Sequence, residues 1–250
     1  MDFHINIKKK SFVNPHDKTS IDVLKNINIK IKYKEFVCIV GPSGCGKTTL
    51  MNIIGGLIDA EDQKLNKEQN DLKADGDFGY VFQTSRLLPW LTVKENIELV
   101  CEENEEYIER IEFLLSEFDL QEFKNYYPKS ISGGMRRKVS LARALIKKPQ
   151  ILLMDEPFVS LDQPTAESLY SVLINYWKKN PITIILITHN LKEAILLGDR
   201  IIFFSKRPAS VVYDHKIKSK TEGLSIDNIE IQKEYDQLRK KFPSLLRGLV

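Results

Sequence analysis

Between an apolar run, Phe36-Val37-Cys38-Ile39-Val40, and a helical pattern, Thr48 to Ile54, the chain carries Gly41-Pro42-Ser43-Gly44-Cys45-Gly46-Lys47-Thr48. This is G-x-x-x-x-G-K-[ST] set between a strand and a helix, and nothing else in the sequence restricts the fold as much. Glycines let the backbone wrap tightly and aim its N–H groups inward, while the helix that follows turns the positive end of its dipole toward an anion. Lys47 adds a point charge for the β- and γ-phosphates, and Thr48 offers a hydroxyl to Mg²⁺. The loop Gly41 to Thr49 is therefore expected to bind ATP. The alternative, a Gly-rich turn with an accidental lysine, accounts less well for the flanking strand and helix.

A phosphate loop of this kind needs a core sheet around it. Ile151-Leu152-Leu153-Met154 and Thr183-Ile184-Ile185-Leu186-Ile187-Thr188 are short, continuous apolar runs like Phe36 to Val40, the pattern of strands covered on both faces. Helical patterns at Gly133 to Lys147 and Thr165 to Lys179 alternate with them, as right-handed βαβ connections require. The expected fold is α/β with a mostly parallel core sheet. Ile5 to Phe12 and the alternating Ile27 to Tyr33, separated by the turn-rich Asn14 to Ser20, predict an N-terminal antiparallel β layer. From Val93 to Phe123, Tyr107, Ile108, Ile111, Leu114, Leu115 and Phe118 recur at helical spacing on an acidic background, which predicts a helical subdomain. A single domain over 1–250 is expected, with the helical subdomain at about 84–148 and a short tail from about 214 that holds a helix at Ile231 to Lys241. Asp59 to Gly76 is polar and fits no element.

Composition mostly excludes. No apolar run approaches the roughly 18 residues of a membrane span, and the N-terminus lacks a secretion signal, so a cytoplasmic protein is expected. Cys38, Cys45 and Cys101 are odd in number and lack C-x-x-C spacing, which argues against disulfides and zinc. A formal net charge of +3 from 37 basic and 34 acidic side chains gives no reason to expect nucleic acid.

The strand Ile151 to Met154 runs into Asp155-Glu156-Pro157, placing two carboxylates at the carboxyl end of a core strand, where such sheets bind ligands. Asp155 would hold Mg²⁺ through its water shell, and Glu156 would polarise an attacking water as general base. Acidic pairs at strand ends otherwise face solvent; the phosphate loop favours the catalytic reading.

Ile131-Ser132-Gly133-Gly134-Met135 resembles the LSGGQ signature of ATP-binding cassette (ABC) ATPases. The phosphate loop, Gln83 in Tyr80-Val81-Phe82-Gln83, the Asp155-Glu156 pair, Ser160-Leu161-Asp162 and Thr188-His189 complete the family's motifs in its order. The resemblance spans Ile5 to Tyr213 and implies a P-loop NTPase of ABC type. It implies that Gln83 touches Mg²⁺ and senses the nucleotide, that His189 contacts the γ-phosphate and orients Glu156, and that Asp162 crosses a dimer interface. Ser132, Gly133 and Gly134, at a helix N-terminus, would bind the γ-phosphate of ATP held by another subunit; an ordinary N-cap by Ser132 is compatible with that role. Phe12 is the candidate for stacking on adenine, with a core phenylalanine as the alternative. Arg86-Leu87-Leu88-Pro89-Trp90-Leu91 resembles the surface that receives a permease.

Met135 in place of the usual Gln, Pro89-Trp90, and Ser205-Lys206-Arg207-Pro208 resemble the nitrate, sulfonate and taurine importer branch, with pyrimidine-precursor importers similar. Asn190 departs from the acidic residue that commonly follows the histidine. The resemblance implies two copies, or this chain and a homologous ATPase, closing over two ATP molecules on the inner face of the cell membrane. It also implies integral membrane permease subunits and an extracytoplasmic solute-binding protein. Two rivals remain. One is a non-transport ABC ATPase acting on nucleic acid or ribosomes, against which stand the single cassette and the absence of heptads. The other is a module that holds ATP without turnover, against which stand Glu156 and His189.

Overall fold

The computed structural model describes residues 2–60, 78–101, 105–217 and 225–243. In chain order the elements are β1 (Phe3–Val13), β2 (Ser20–Ile31), β3 (Phe36–Val40), α1 (Lys47–Ile54), β4 (Phe78–Val81), α2 (Val93–Glu98), α3 (Glu105–Glu117), α4 (Gly133–Leu145), β5 (Ile151–Asp155), α5 (Gln163–Lys179), β6 (Thr183–Thr188), α6 (Leu191–Leu197), β7 (Arg200–Phe204), β8 (Val211–Lys216) and α7 (Ile229–Lys241). Apart from its first residues, the stretch that fits no element lies outside the described residues. The chain divides into two units, Met1–Ala74 with Thr183–Val250, and Asp75–Ile182.

In the first unit β3 lies between β6 and β7, all parallel, and β8 adds antiparallel to β7. Every residue of β3 and β6 is buried, as parallel strands with both faces covered require. β1 and β2 form a separate antiparallel ribbon, with Ile5, Ile7, Ile27 and Ile29 turned inward and a register shift after Lys10. Lys25 N–H donates to Ala209 O at 2.9 Å and Ala209 N–H to Val23 O at 2.8 Å, so β2 is stitched to the turn after β7. The tail helix α7 packs on α6, burying Ile231 and Leu238.

In the second unit β4 and β5 pair in parallel, and α4 packs on both β4 and α2. Ile111, Leu114, Leu115 and Phe118 form the buried stripe of the acidic helical region. Ile108 shares the helical spacing but is 57% exposed, because it borders an open cleft of about 650 Å³ between α2 and α3.

Four elements are absent from the sequence reading: β7, whose buried Ile201 to Phe204 is an apolar run of the same kind as β3, and three with weaker patterns. β4 is four residues long, β8 alternates half-buried and exposed positions through Asp214 and Lys216, and six of the seven residues of α6 are buried, so no periodic contrast marks it. β2 starts well before Ile27, since Lys25 and Asn26 interrupt the alternation without ending the ladder.

Candidate functional site

Each unit brings its site residues together through one strand pairing. In the first, Val40 is opposite Thr188 in the β3–β6 register. Gly41 and His189 therefore leave neighbouring strands at the same edge, the carboxyl edge where open α/β sheets bind ligands. Gly46 caps α1 at φ 126, a conformation closed to most residues, and a Cβ there would lie 2.8 Å from Val23. No side chain caps the helix, so its first-turn N–H groups keep the capacity to bind an anion.

Lys47 is 5% exposed, and its Nζ donates to Gly41 O at 2.7 Å and Pro42 O at 3.1 Å. A buried ammonium resting on its own loop's carbonyls is a cation ready to exchange them for phosphate oxygens. Ser43, Gly44 and Thr48 are exposed and Thr49 half-buried along the same loop. From outside, Arg207 donates through Nε and Nη2 to Gly44 O at 3.1 and 2.5 Å. Burial pushes the Cys45 thiol up, against the pull of the Lys47 and Arg207 charges, so this cysteine is a protonated part of the loop wall.

The turn carrying His189 is pinned on both sides. Thr188 Oγ1 donates to Glu193 Oε2 at 2.6 Å in a buried pair, and Asn190 N–H donates to Thr188 Oγ1 at 3.0 Å. Asn190 in turn caps α6 through its side chain, the job an acidic residue can also do. Phe12 is not in the core: it is 44% exposed, opposite Ile21, with the Lys10 ammonium 5.2 Å from its ring centroid.

In the second unit Val81 is opposite Met154, so Gln83 and the Asp155-Glu156 pair follow the ends of paired strands. Asp155 is 4% exposed, and burial together with its charge pushes the Tyr80 phenol above the usual tyrosine range. Glu156 has φ 45, a left-handed conformation rare for a residue with a side chain. Gln83 is exposed.

Ser132 caps α4, accepting from Met135 N–H at 3.2 Å, and Asp162 caps α5, accepting from Thr165 N–H at 3.3 Å. The two signature glycines differ. A Cβ on Gly134 would lie 2.4 Å from Thr165 Cγ2, whereas one on Gly133 would meet nothing nearer than 3.8 Å. Packing on α5 demands Gly134; Gly133 leaves open space beside the helix N-terminus.

A nucleoside triphosphate fits the first unit on two counts: a helix N-terminus with no side-chain cap and a buried cation held, among the described residues, by loop carbonyls. Among the described residues no three His, Cys, Asp or Glu side chains gather as a metal site, and Mg²⁺, which keeps most of its waters, needs no such cluster.

Four side chains that hold these segments carry no motif of their own. Asn96, fully buried, accepts from Leu88 N–H and donates to Leu88 O, Leu91 O and Thr92 O. Arg137 and Arg143 of α4 donate to the carbonyls of Phe82 and Gln83 and of Arg86 and Ser85. Glu193 is the fourth. A polar residue inside an apolar helical pattern was the available signal for Asn96 and Glu193; Arg137 closes the Ser132 to Arg137 segment that resembles the signature, with no sign there of its hold on Phe82 and Gln83, and Arg143 carried no signal.

The chain matches the ABC transporter family over residues 24–159. It is 38% identical over 224 residues to an aliphatic sulfonates import ATP-binding protein of Bacillus thuringiensis, covering 89% of this chain and 87% of that one. It is 36% identical to a taurine import ATP-binding protein of Jannaschia sp., over 86% and 82% of the two chains. It is 35% identical to a nitrate import ATP-binding protein of Synechocystis sp., over 98% and 96%. Among solved structures, a dimeric ATP-binding cassette in a post-hydrolysis state with ADP and Pi superposes with a TM-score of 0.72 at 32% identity, over 88% of this chain and all of that one.

Proposed function

The chain belongs to the ABC transporter family of ATP-binding cassettes, and on that premise we propose that it binds and hydrolyses ATP to drive uptake of a small oxyanion-bearing solute, of the sulfonate, taurine or nitrate kind, through a separate permease. The observation that supports this most directly is the register of β3 against β6, which sends the phosphate loop and His189 from one sheet edge. The family relatives supply the direction of transport and the solute class, since all three are import proteins for such compounds.

In this reading the first-turn N–H groups of α1 and the Lys47 ammonium, released from Gly41 O and Pro42 O, bind the β- and γ-phosphates. His189 contacts the γ-phosphate. Glu156 takes the proton of the attacking water, and Gln83 senses the nucleotide. Thr48, Gln83 and Asp155 would hold Mg²⁺, which supplies charge neutralisation on the phosphates. Ser132, Gly133 and Gly134 of a second copy, or of a homologous ATPase, complete the site, and Asp162 lies at that interface. Phe12, exposed beside a lysine, stacks on adenine.

Trp90, 69% exposed, and the half-buried Leu87 and Leu88 form the permease-facing surface, next to the cleft between α2 and α3 that Leu91, Leu99 and Ile108 line. Apolar side chains around a concave surface suit insertion of a partner's helix. No helix among the described residues is long and apolar enough to cross a membrane; the proposed location is the cytoplasmic face, held there by the permease.

Purification of the intact complex from membranes tests the reading. The expected result is co-purification with integral membrane subunits and a solute-binding protein that retains a small oxyanion. Recovery with ribosomes or nucleic acid and no permease would overturn it.

A further inference from the structure

The segment after β4 has left the sheet ladder, so its carbonyls must find donors elsewhere. Four of them, from Phe82 to Arg86, take their side-chain donors from one helix, α4. Arg137 donates through Nη1 to Phe82 O at 2.9 Å and through Nη2 to Gln83 O; Arg143 donates through Nη1 to Arg86 O at 2.9 Å and through Nη2 to Ser85 O at 3.0 Å. The segment is stiffened further by stacking: Tyr80 and Phe82 rings lie 4.0 Å apart, and the Arg86 guanidinium sits 3.7 Å from the Phe82 ring centroid.

Arg137 is the unusual member. It is 9% exposed, and burial pulls its pKa below the ordinary arginine value. Among the described residues no carboxylate pairs with it; main-chain carbonyls hold the charge. Filling that volume with an apolar side chain would avoid the desolvation of a buried cation. Geometry offers a reason for the arginine. Only a guanidinium presents two donors in a fixed fork that can hold adjacent carbonyls at once. Arg137 lies five residues along α4 from the capping residue Ser132, about 7.5 Å of helix rise. The main chain of Gln83 and the N-terminus of α4 are thereby tied through a single buried side chain.

We infer that Arg137 is a positioning residue of the ATPase cycle: its guanidinium makes the Gln83 main chain and the Ser132–Gly134 turn one rigid piece, so that the nucleotide sensed by Gln83 in one subunit sets the aim of the signature turn toward the ATP of the other. This rests on the reading under Proposed function. Arg137 touches no nucleotide in it, so its loss should spare binding and damage closure. A lysine at the position keeps the charge and the reach but cannot bridge two carbonyls.

The test compares Arg137→Lys with its parent in two backgrounds. In the otherwise unaltered chain, displacement of a fluorescent ADP should give an affinity within about twofold of the parent, while kcat falls by about tenfold to a hundredfold, the scale of a misplacement remote from the chemistry, and KM for ATP moves far less. In the Glu156→Gln background, ATP-driven dimerisation followed by light scattering should require about tenfold more ATP or protein. Arg137→Met should be at least as impaired. Unchanged dimerisation and kcat in the lysine variant would overturn the proposal, and so would a lysine variant that fails to fold, since the position would then be structural. Loss of nucleotide affinity in step with kcat would also overturn it. If the parent itself neither hydrolyses ATP nor dimerises on it, the reading of the chain as an ATPase fails first, and the inference falls with it.

Discussion

Glu156 occupies a backbone conformation that costs about 1–3 kcal/mol for a residue bearing a side chain, at φ 45. Such strain survives where surrounding structure enforces it, and here a buried strand ends in the buried Asp155 immediately before it and Pro157 follows. Glutamine has the same size and backbone preferences, so Glu156→Gln should keep the strained turn and remove only the proton acceptor. The expected outcome is ATP affinity within about twofold of the parent and turnover reduced by at least about a hundredfold, the range assigned to a general base, read by nucleotide binding and phosphate release on the same preparation. Full turnover by the variant would remove Glu156 from that role. Lys47 answers differently: its ammonium leaves two loop carbonyls for the phosphates, so Lys47→Ala should be lost at the binding step itself.

At the scale of elements, Asn96 shows how a short helix fixes a loop. Its side-chain amide makes four hydrogen bonds to Leu88, Leu91 and Thr92, while Thr92 and Glu95 close a capping box at the start of α2. Asn96→Ala takes the side-chain partner from the Leu88 N–H and the Leu91 carbonyl, while Leu88 O and Thr92 O keep the N–H groups of Leu91 and Asn96; each group left unsatisfied costs about 1–3 kcal/mol, and at this chain length each kcal/mol lowers Tm by roughly 2–4 °C. Asn96→Asp should be worse near neutral pH, because a carboxylate would face three carbonyl oxygens with nothing to donate. Calorimetry on the three proteins checks the order; equal stability of the aspartate variant would reverse the assigned amide orientation.

The same residue marks the limit of what the sequence could yield. β3 and β6 were legible to the residue because continuous burial leaves a continuous apolar run, and the phosphate loop because its backbone needs glycines at fixed places. The carboxylate pair was legible from its strand end together with the phosphate loop, and the signature turn only through resemblance, since neither pattern is unusual by itself. Asn96, Arg137 and Glu193 act on carbonyls and hydroxyls whose positions depend on how loops leave the sheet, and a one-dimensional pattern does not carry that information. For Phe12 the sequence left adenine stacking and a core position open; its exposure removes the core position, and the stacking role stands as a proposal.

At the scale of the whole molecule, the proposed site is shared between two copies, and a closed twofold pair makes that arrangement self-complementary. Each ATP would take Lys47 from one subunit and Ser132 from the other. Two defects can therefore be distributed. Ser132→Arg places a bulky cation at the exposed cap of α4 and should abolish ATP-driven pairing of that variant with itself; Lys47→Ala should abolish nucleotide binding. A mixed pair keeps one site with both groups intact and concentrates both defects in the other. Because neither variant pairs with itself on ATP, every ATP-driven pair is mixed and carries one intact site of two, so up to about half of the parent's sites should recover when pairing is saturated. Neither variant alone should hydrolyse ATP, and the mixture should do so at a rate that rises with the concentration of each partner. A mixture as inactive as its parts would mean that Lys47 and Ser132 must lie in the same chain to serve one nucleotide, or that one intact site cannot turn over without the other. Binding of a single ATP per mixed pair, measured at equilibrium, separates those two outcomes, because only the second leaves the intact site able to hold its nucleotide between subunits.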